Sequence, residues 1–182
     1  MKVNIAEASL TPAEIAAATR VLESGALRQG KECQGFEVEF ADYVDAAFGV
    51  TCSNGSASLH LAFMTFLEPG DEVLVPSMTF VATANMVVAA GGIPVLCDVD
   101  PGSFLLDLDD AASRVTERTR AIVPVHLHGN VVDVDSVQAF ADKHDLRVVW
   151  DAAQAHGARY KGRGVGAFND FVSYSFYPSK NM

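Results

Sequence analysis

Three short stretches carry residue types that could do chemistry together. Ser53-Asn54-Gly55-Ser56-Ala57 is a run of small residues opening into a helix-forming segment. Backbone N–H groups at such a turn, reinforced by the helix dipole, make a site for an anion such as a phosphate. The same run also reads as a tight turn that needs Gly55 for its backbone angle. It lacks the Gly-Lys-Ser/Thr of a Walker loop and the second glycine of a nucleophile elbow. Asp151 follows the apolar run Val148-Val149-Trp150 and precedes Ala152-Ala153-Gln154-Ala155-His156-Gly157. A carboxylate among apolar neighbours is costly unless it meets a cation or donors, so Asp151 calls for a partner; a metal ligand or a helix cap are the alternatives. Lys180 closes the segment Ser175-Phe176-Tyr177-Pro178-Ser179-Lys180, just after the apolar run Phe171–Tyr174. Desolvation makes an amine in such a place nucleophilic, although a lone lysine also reads as an ordinary surface residue.

The fold must gather these stretches. From Val50 onward, short apolar or β-branched runs alternate with helical segments: Val50–Cys52, Val73–Val75, Ile93–Leu96, Ala121–Val125, Val148–Trp150 and Phe171–Tyr174. Unbroken apolar strands of this kind are buried on both faces of a parallel sheet. Between them, Ala57–Phe66, Ala82–Ala90, Leu108–Val115 and Val134–His144 have about the length of crossover helices. The class is therefore α/β, doubly wound, with a mostly parallel sheet and helices on both faces. Its ligand crevice lies beyond the carboxyl ends of the strands, where all three stretches fall. Upstream, Thr11-Pro12-Ala13-Glu14 predicts a capped helix with Ile15, Ala18 and Leu22 on one face, ending at Ser24-Gly25. Phe36, Phe40 and Tyr43 mark a second helix, and both should pack against the larger body. No repeat or linker divides the chain, so residues 1–48 read as a helical lead-in to a domain spanning 49–182.

The bulk numbers exclude several partners. The 182 residues carry a formal charge of −10, with acids scattered along the chain, which argues against a grip on nucleic acid. No charged-then-apolar leader opens the chain, and no apolar stretch reaches the ~18 residues of a membrane span. Cys33, Cys52 and Cys97 form no Cys-x-x-Cys pair, which fits a reducing cytoplasm; Cys52 and Cys97 lie in apolar runs and should be buried. His126 and His128 have a spacing that puts both on one face of an extended segment. With Asp151 they suggest a metal-dependent hydrolase as an alternative, but no third nearby ligand emerges, and no metal is expected.

A phosphate turn, an acid and a lysine on three strand ends are the parts that hold pyridoxal phosphate (PLP). Asn54–Ala62, Pro69–Val73, Pro76–Asn85, Pro124–Gly129, Asp151–Gly157 and Ser175–Asn181, in that order, resemble the DegT/DnrJ/EryC1/StrS family of fold-type I aminotransferases. The resemblance implies a PLP-binding large domain in which Lys180 is catalytic, forming the Schiff base and shuttling protons. It implies that Asp151 pairs with the pyridine nitrogen and Gln154 with the phenolic oxygen. Gly55, Ser56, Ala57 and the Ser175 hydroxyl would hold the phosphate, and Phe80 would stack on the ring, with ordinary core packing as its competitor. The implied partners are glutamate as amino donor, a nucleotide-linked keto-sugar and a second copy of the chain in a homodimer. The family pattern continues past the lysine into a last large-domain strand and a small domain, whereas this chain ends at Met182. The expectation is that the isolated chain is inactive, or is a non-catalytic fragment or partner subunit of such an enzyme.

Overall fold

The computed structural model describes residues 9–181. Helix α1 (Pro12–Ser24) begins as the sequence predicts: the Thr11 hydroxyl accepts from Ala13 N and Glu14 reaches back to the Thr11 N–H, while Gly25 ends the helix in the left-handed conformation at φ 68°. None of its residues is buried, so the expected packing of Ile15 and Leu22 is absent among the described residues. Helix α2 (Lys31–Tyr43) does pack, through Phe40, which meets Tyr174 and Phe176 edge-on at 4.9 Å in each case.

The body is a five-stranded parallel sheet in the order β2-β1-β3-β4-β7. Its strands are β1 (Glu72–Pro76), β2 (Ile93–Cys97), β3 (Thr119–Ile122), β4 (Arg147–Asp151) and β7 (Phe171–Ser173). A two-stranded hairpin, β5 (Arg159–Tyr160) and β6 (Arg163–Gly164), stands apart from it. Helices α3 (Gly55–Met64) and α4 (Ala82–Ala89) cover one face, and α5 (Leu108–Ser113) and α6 (Val134–His144) the other. Side-chain alternation divides the core accordingly. Val73, Val75 and Val149 pack with Leu59, Phe63 and Val87. Leu74, Val148 and Trp150 pack with Ala111, Phe140 and Ala141. Trp150 is fully buried and satisfies its indole N–H on Asn169 O at 2.8 Å.

Three strand expectations need correction. Val50–Cys52 is extended but pairs with no strand: Thr51 N–H donates to the Glu37 carboxylate at 2.7 Å, so a side chain of α2 takes the bond a ladder would supply. Cys52 is accordingly exposed, not buried. Strand β2 stands at the sheet edge with Ile93 and Leu96 exposed, so it is not buried on both faces as expected.

Candidate active site

The crevice-edge residues converge as the fold class requires. Asp151 is the last residue of β4 and only 5% exposed. Its Oδ1 accepts from Ala153 N at 3.1 Å and its Oδ2 from the Thr83 hydroxyl at 2.9 Å. It joins no ion pair among the described residues. Burial pushes its carboxyl well above the ordinary range, against the opposing pull of the Ala153 N–H, the Thr83 hydroxyl and, last, the charge of Lys180. The buried Glu72 makes the contrast plain. It sits at the opposite, amino-terminal rim of the sheet, where less protein surrounds it, and the Thr116 hydroxyl and Arg118 hold its carboxyl below the ordinary range. One buried carboxylate has its cation in hand and the other does not.

Lys180 follows β7 in a loop closed by its own N–H, which donates to Tyr177 O at 2.8 Å; the residue is half-buried. Its charge acts on both Asp151 and His156. The turn expected to hold a phosphate is the amino end of α3. Asn54 caps it, with Oδ1 accepting from Ala57 N at 2.8 Å. Of the three amides, Ala57's is therefore spent on the cap, leaving those of Gly55 and Ser56 as the first-turn donors without an intrahelical acceptor. Gly55 lies directly against Ser175: a Cβ built on it would stand 2.8 Å from Ser175 Cβ and 3.2 Å from Oγ. Small residue meets hydroxyl residue there with no room to spare.

Gln154 is anchored at one end, its Oε1 accepting from His128 N at 2.7 Å, while its Nε2 makes no hydrogen bond among the described residues. The amide is thereby oriented with a free donor. Phe80 is 66% exposed in the loop between β1 and α4, which removes the core-packing alternative. The histidines do not share a face. His126 is fully buried, stacked on Trp150 at 5.8 Å, with Nδ1 accepting from Val132 N; His128 turns outward at φ 55° within a 3₁₀ turn. The described residues hold no cluster of three metal-ligating side chains. Without the shared face, the hydrolase alternative loses its ligand set.

An apolar cavity of about 1000 Å³ lies between α2, the segment after it, α3 and β7. Gly55 and Ser175 help line it, but Asp151, Gln154 and Lys180 do not. Two features escaped the sequence reading. Thr83 and Thr79 are ordinary hydroxyls in sequence and gain meaning only because Thr83 contacts Asp151 and Thr79 contacts Thr83. The aromatic group of Phe40, Tyr174 and Phe176 around His156 ties α2 to the lysine loop. Burial lowers the His156 pKa, the nearby Ser175 backbone opposing it and the Lys180 charge reinforcing it; neither ring nitrogen reaches a partner in good hydrogen-bond geometry.

A model of the DegT/DnrJ/EryC1/StrS aminotransferase family matches residues 8–182. The chain belongs to this family. Among curated members it is 45% identical to a dTDP-3-amino-3,4,6-trideoxy-alpha-D-glucose transaminase of Streptomyces venezuelae, over 92% of this chain and 44% of the relative. It is 42% identical to a UDP-N-acetyl-3-dehydro-alpha-D-glucosamine 3-aminotransferase of Acidithiobacillus ferrooxidans, over 90% and 44% of the two chains. The fold matches Spr1654 from Streptococcus pneumoniae, solved in a PLP form, with a TM-score of 0.94 and 30% identity over 100% of this chain and 50% of that one. The chain thus spans less than half the length of the curated relatives it matches. DegT/DnrJ/EryC1/StrS membership accounts for the parallel sheet with helices on both faces.

Proposed function

We propose that the protein carrying this chain is a PLP-dependent aminotransferase that moves an amino group from glutamate to the keto carbon of a nucleotide-linked sugar. The observation that carries the reading is Asp151: a buried carboxylate at a strand's carboxyl end, held by two donors and lacking the cation that Glu72 has. Such a group is stable as an anion only beside a positive charge, and a protonated pyridine nitrogen is a charge of the right kind. The remaining groups fit the same molecule. The free amides of Gly55 and Ser56 on a helix end, beside the Ser175 hydroxyl, suit its phosphate. The unpaired Nε2 of Gln154 suits its phenolic oxygen, and exposed Phe80 offers a ring to stack on its face. Ala57 contributes through the helix end and not its N–H, which Asn54 occupies.

PLP, when bound, supplies the electron sink that makes a carbon–hydrogen bond beside nitrogen acidic. The chain's own residues do the rest. Asp151 keeps a positive charge on the ring by staying ionised. Lys180 Nζ is the amine that holds the cofactor covalently and, when free, accepts and returns a proton. Lys161 is the poorer candidate: it is exposed and paired with Asp135 at 2.5 Å, and that pairing raises its pKa to about 12.

The dTDP- and UDP-linked names of the relatives support a nucleotide-linked sugar as acceptor. Met78, Phe80 and Val81, exposed beside the site, support a second copy of the chain as its cover, in a homodimer. Three unpaired cysteines suit a cytoplasmic protein, and no helix of the described residues is long and apolar enough to cross a membrane. Within the whole protein, residues 49–182 form the cofactor-holding part and 1–48 its lead-in. Borohydride reduction of the PLP-loaded protein, followed by peptide mapping, tests the reading. The adduct is expected on Lys180; finding it on Lys161, or on no lysine, overturns the assignment.

A further inference from the structure

The hydrogen bonds on Asp151 extend beyond its immediate donors. Thr83, second residue of α4, is fully buried, and its Oγ1 donates to Asp151 Oδ2 at 2.9 Å. A threonine hydroxyl has a single proton. Because that proton goes to the carboxylate, the 2.9 Å contact between the Thr79 and Thr83 hydroxyls must run with Thr79 as donor. Thr79 lies one residue before Phe80, in the loop that follows β1. The three groups form a relay of fixed direction, from Thr79 through Thr83 to Asp151, in which each donor polarises the next. Without Thr83, the carboxylate would keep only the N–H of Ala153, two residues along its own chain, and nothing from helix α4 would restrain its rotation.

We propose that Thr83 is a positioning residue for the cofactor, orienting the Asp151 carboxylate toward the pyridine nitrogen, and that Thr79 orients Thr83. The inference rests on the PLP reading above. It makes the loop bearing Phe80 and the acid that would meet the pyridine nitrogen one mechanical unit: a shift of the loop loosens the relay, and a loosened relay frees the acid.

The test is a set of variants of the intact protein: T83V, T83S, T79V, D151N and T83V/D151N. Valine keeps the shape of threonine and removes the hydroxyl, and thermal melting without PLP checks that each variant folds. The readouts are the PLP dissociation constant and the pH midpoint of the bound cofactor's visible absorbance. T83V should weaken PLP binding by about tenfold, equivalent to about 1.4 kcal/mol, and move the pH midpoint; T83S should restore both, and T79V should give part of the change. In the D151N background T83V should have no further effect, since a residue acting through Asp151 loses its lever there. If the parent binds PLP but T83V binds it equally well, or T83V costs the same factor with Asp151 as with Asn, the relay is overturned and the PLP reading stands. If T83S fails to restore the midpoint, the hydroxyl is not the active group. A parent that binds no PLP overturns both.

Discussion

Gly55→Ala isolates the closest approach in the site. The added Cβ would stand 2.8 Å from Ser175 Cβ and 3.3 Å from Tyr174 O, and the first of these is a distance that real Cβ atoms do not adopt. Helix α3 and the segment after β7 must therefore separate by about half an ångström, or one of them must tilt. Overpacking of a tight contact costs about 1–3 kcal/mol. Alanine's better helix propensity returns at most about 1 kcal/mol, and less at a first helical position. The clash wins by about 0.5–2.5 kcal/mol, and at roughly 3 °C per kcal/mol for a domain of this size the melting temperature should fall by about 2–8 °C. The assay is thermal unfolding without cofactor, accompanied by G55A/S175G, in which the Ser175 Cβ is gone. That double variant should recover most of the loss, with a coupling energy of about 1 kcal/mol or more. A G55A protein that melts at or above the parent temperature refutes the argument, as does strict additivity with S175G.

Two further predictions use groups away from the chemistry. Burial holds the His126 imidazole at about 4 against an ordinary 6.5, so the fold favours its neutral form; its stabilising effect is complete above pH 6.5 and is lost as pH falls toward 4, by about 1.4 kcal/mol per unit across that window. H126Q, which keeps an acceptor for Val132 N–H, should flatten stability between pH 6.5 and 4.5, leaving a residual slope from His156, whose shift has the same sign; parallel curves for parent and variant would contradict this. Cys52 is exposed, whereas Cys97 is buried and its thiol is raised to about 11 by burial and then by Asp110, so an aromatic disulfide reagent should modify Cys52 in the native protein and Cys97 only on unfolding. Equal native reactivity of the two would show that β2 is not packed as described.

The sequence was most legible where local chemistry and tertiary packing agree. Thr11, Glu14 and Gly25 set the ends of α1 unaided, and the apolar runs of β1 and β4 mark strands that are buried on both faces. It was least legible where a single distant contact decides. The Val50–Cys52 run has strand character, yet Glu37 captures the Thr51 N–H, and no periodicity within the run signals that competitor. His126 and His128 have strand spacing, but the left-handed backbone of His128 and Gly129 breaks the extended run and sends the rings to different environments. For the site, Asp151 and Lys180 stood out by type and by position after a strand, whereas Gln154 and Ser175 entered only through the family resemblance. Thr83 did neither, because a hydroxyl in the first turn of a helix has many fates and only the fold chooses the one that faces Asp151.

The pairing of Gly55 with the end of β7 also bears on how the chain assembles. Ser173 Oγ donates to Gly55 O across 118 positions of sequence, a span that contains strands β1 to β6. Long-range parallel pairings of this kind lose loop entropy before contacts repay it, and they slow folding. The helix start at Gly55 is local in sequence, whereas its contacts with Ser173 and Ser175 are long-range. With the cofactor proposed above bound at this end of the crevice, its colour would report molecules in which these long-range contacts have formed.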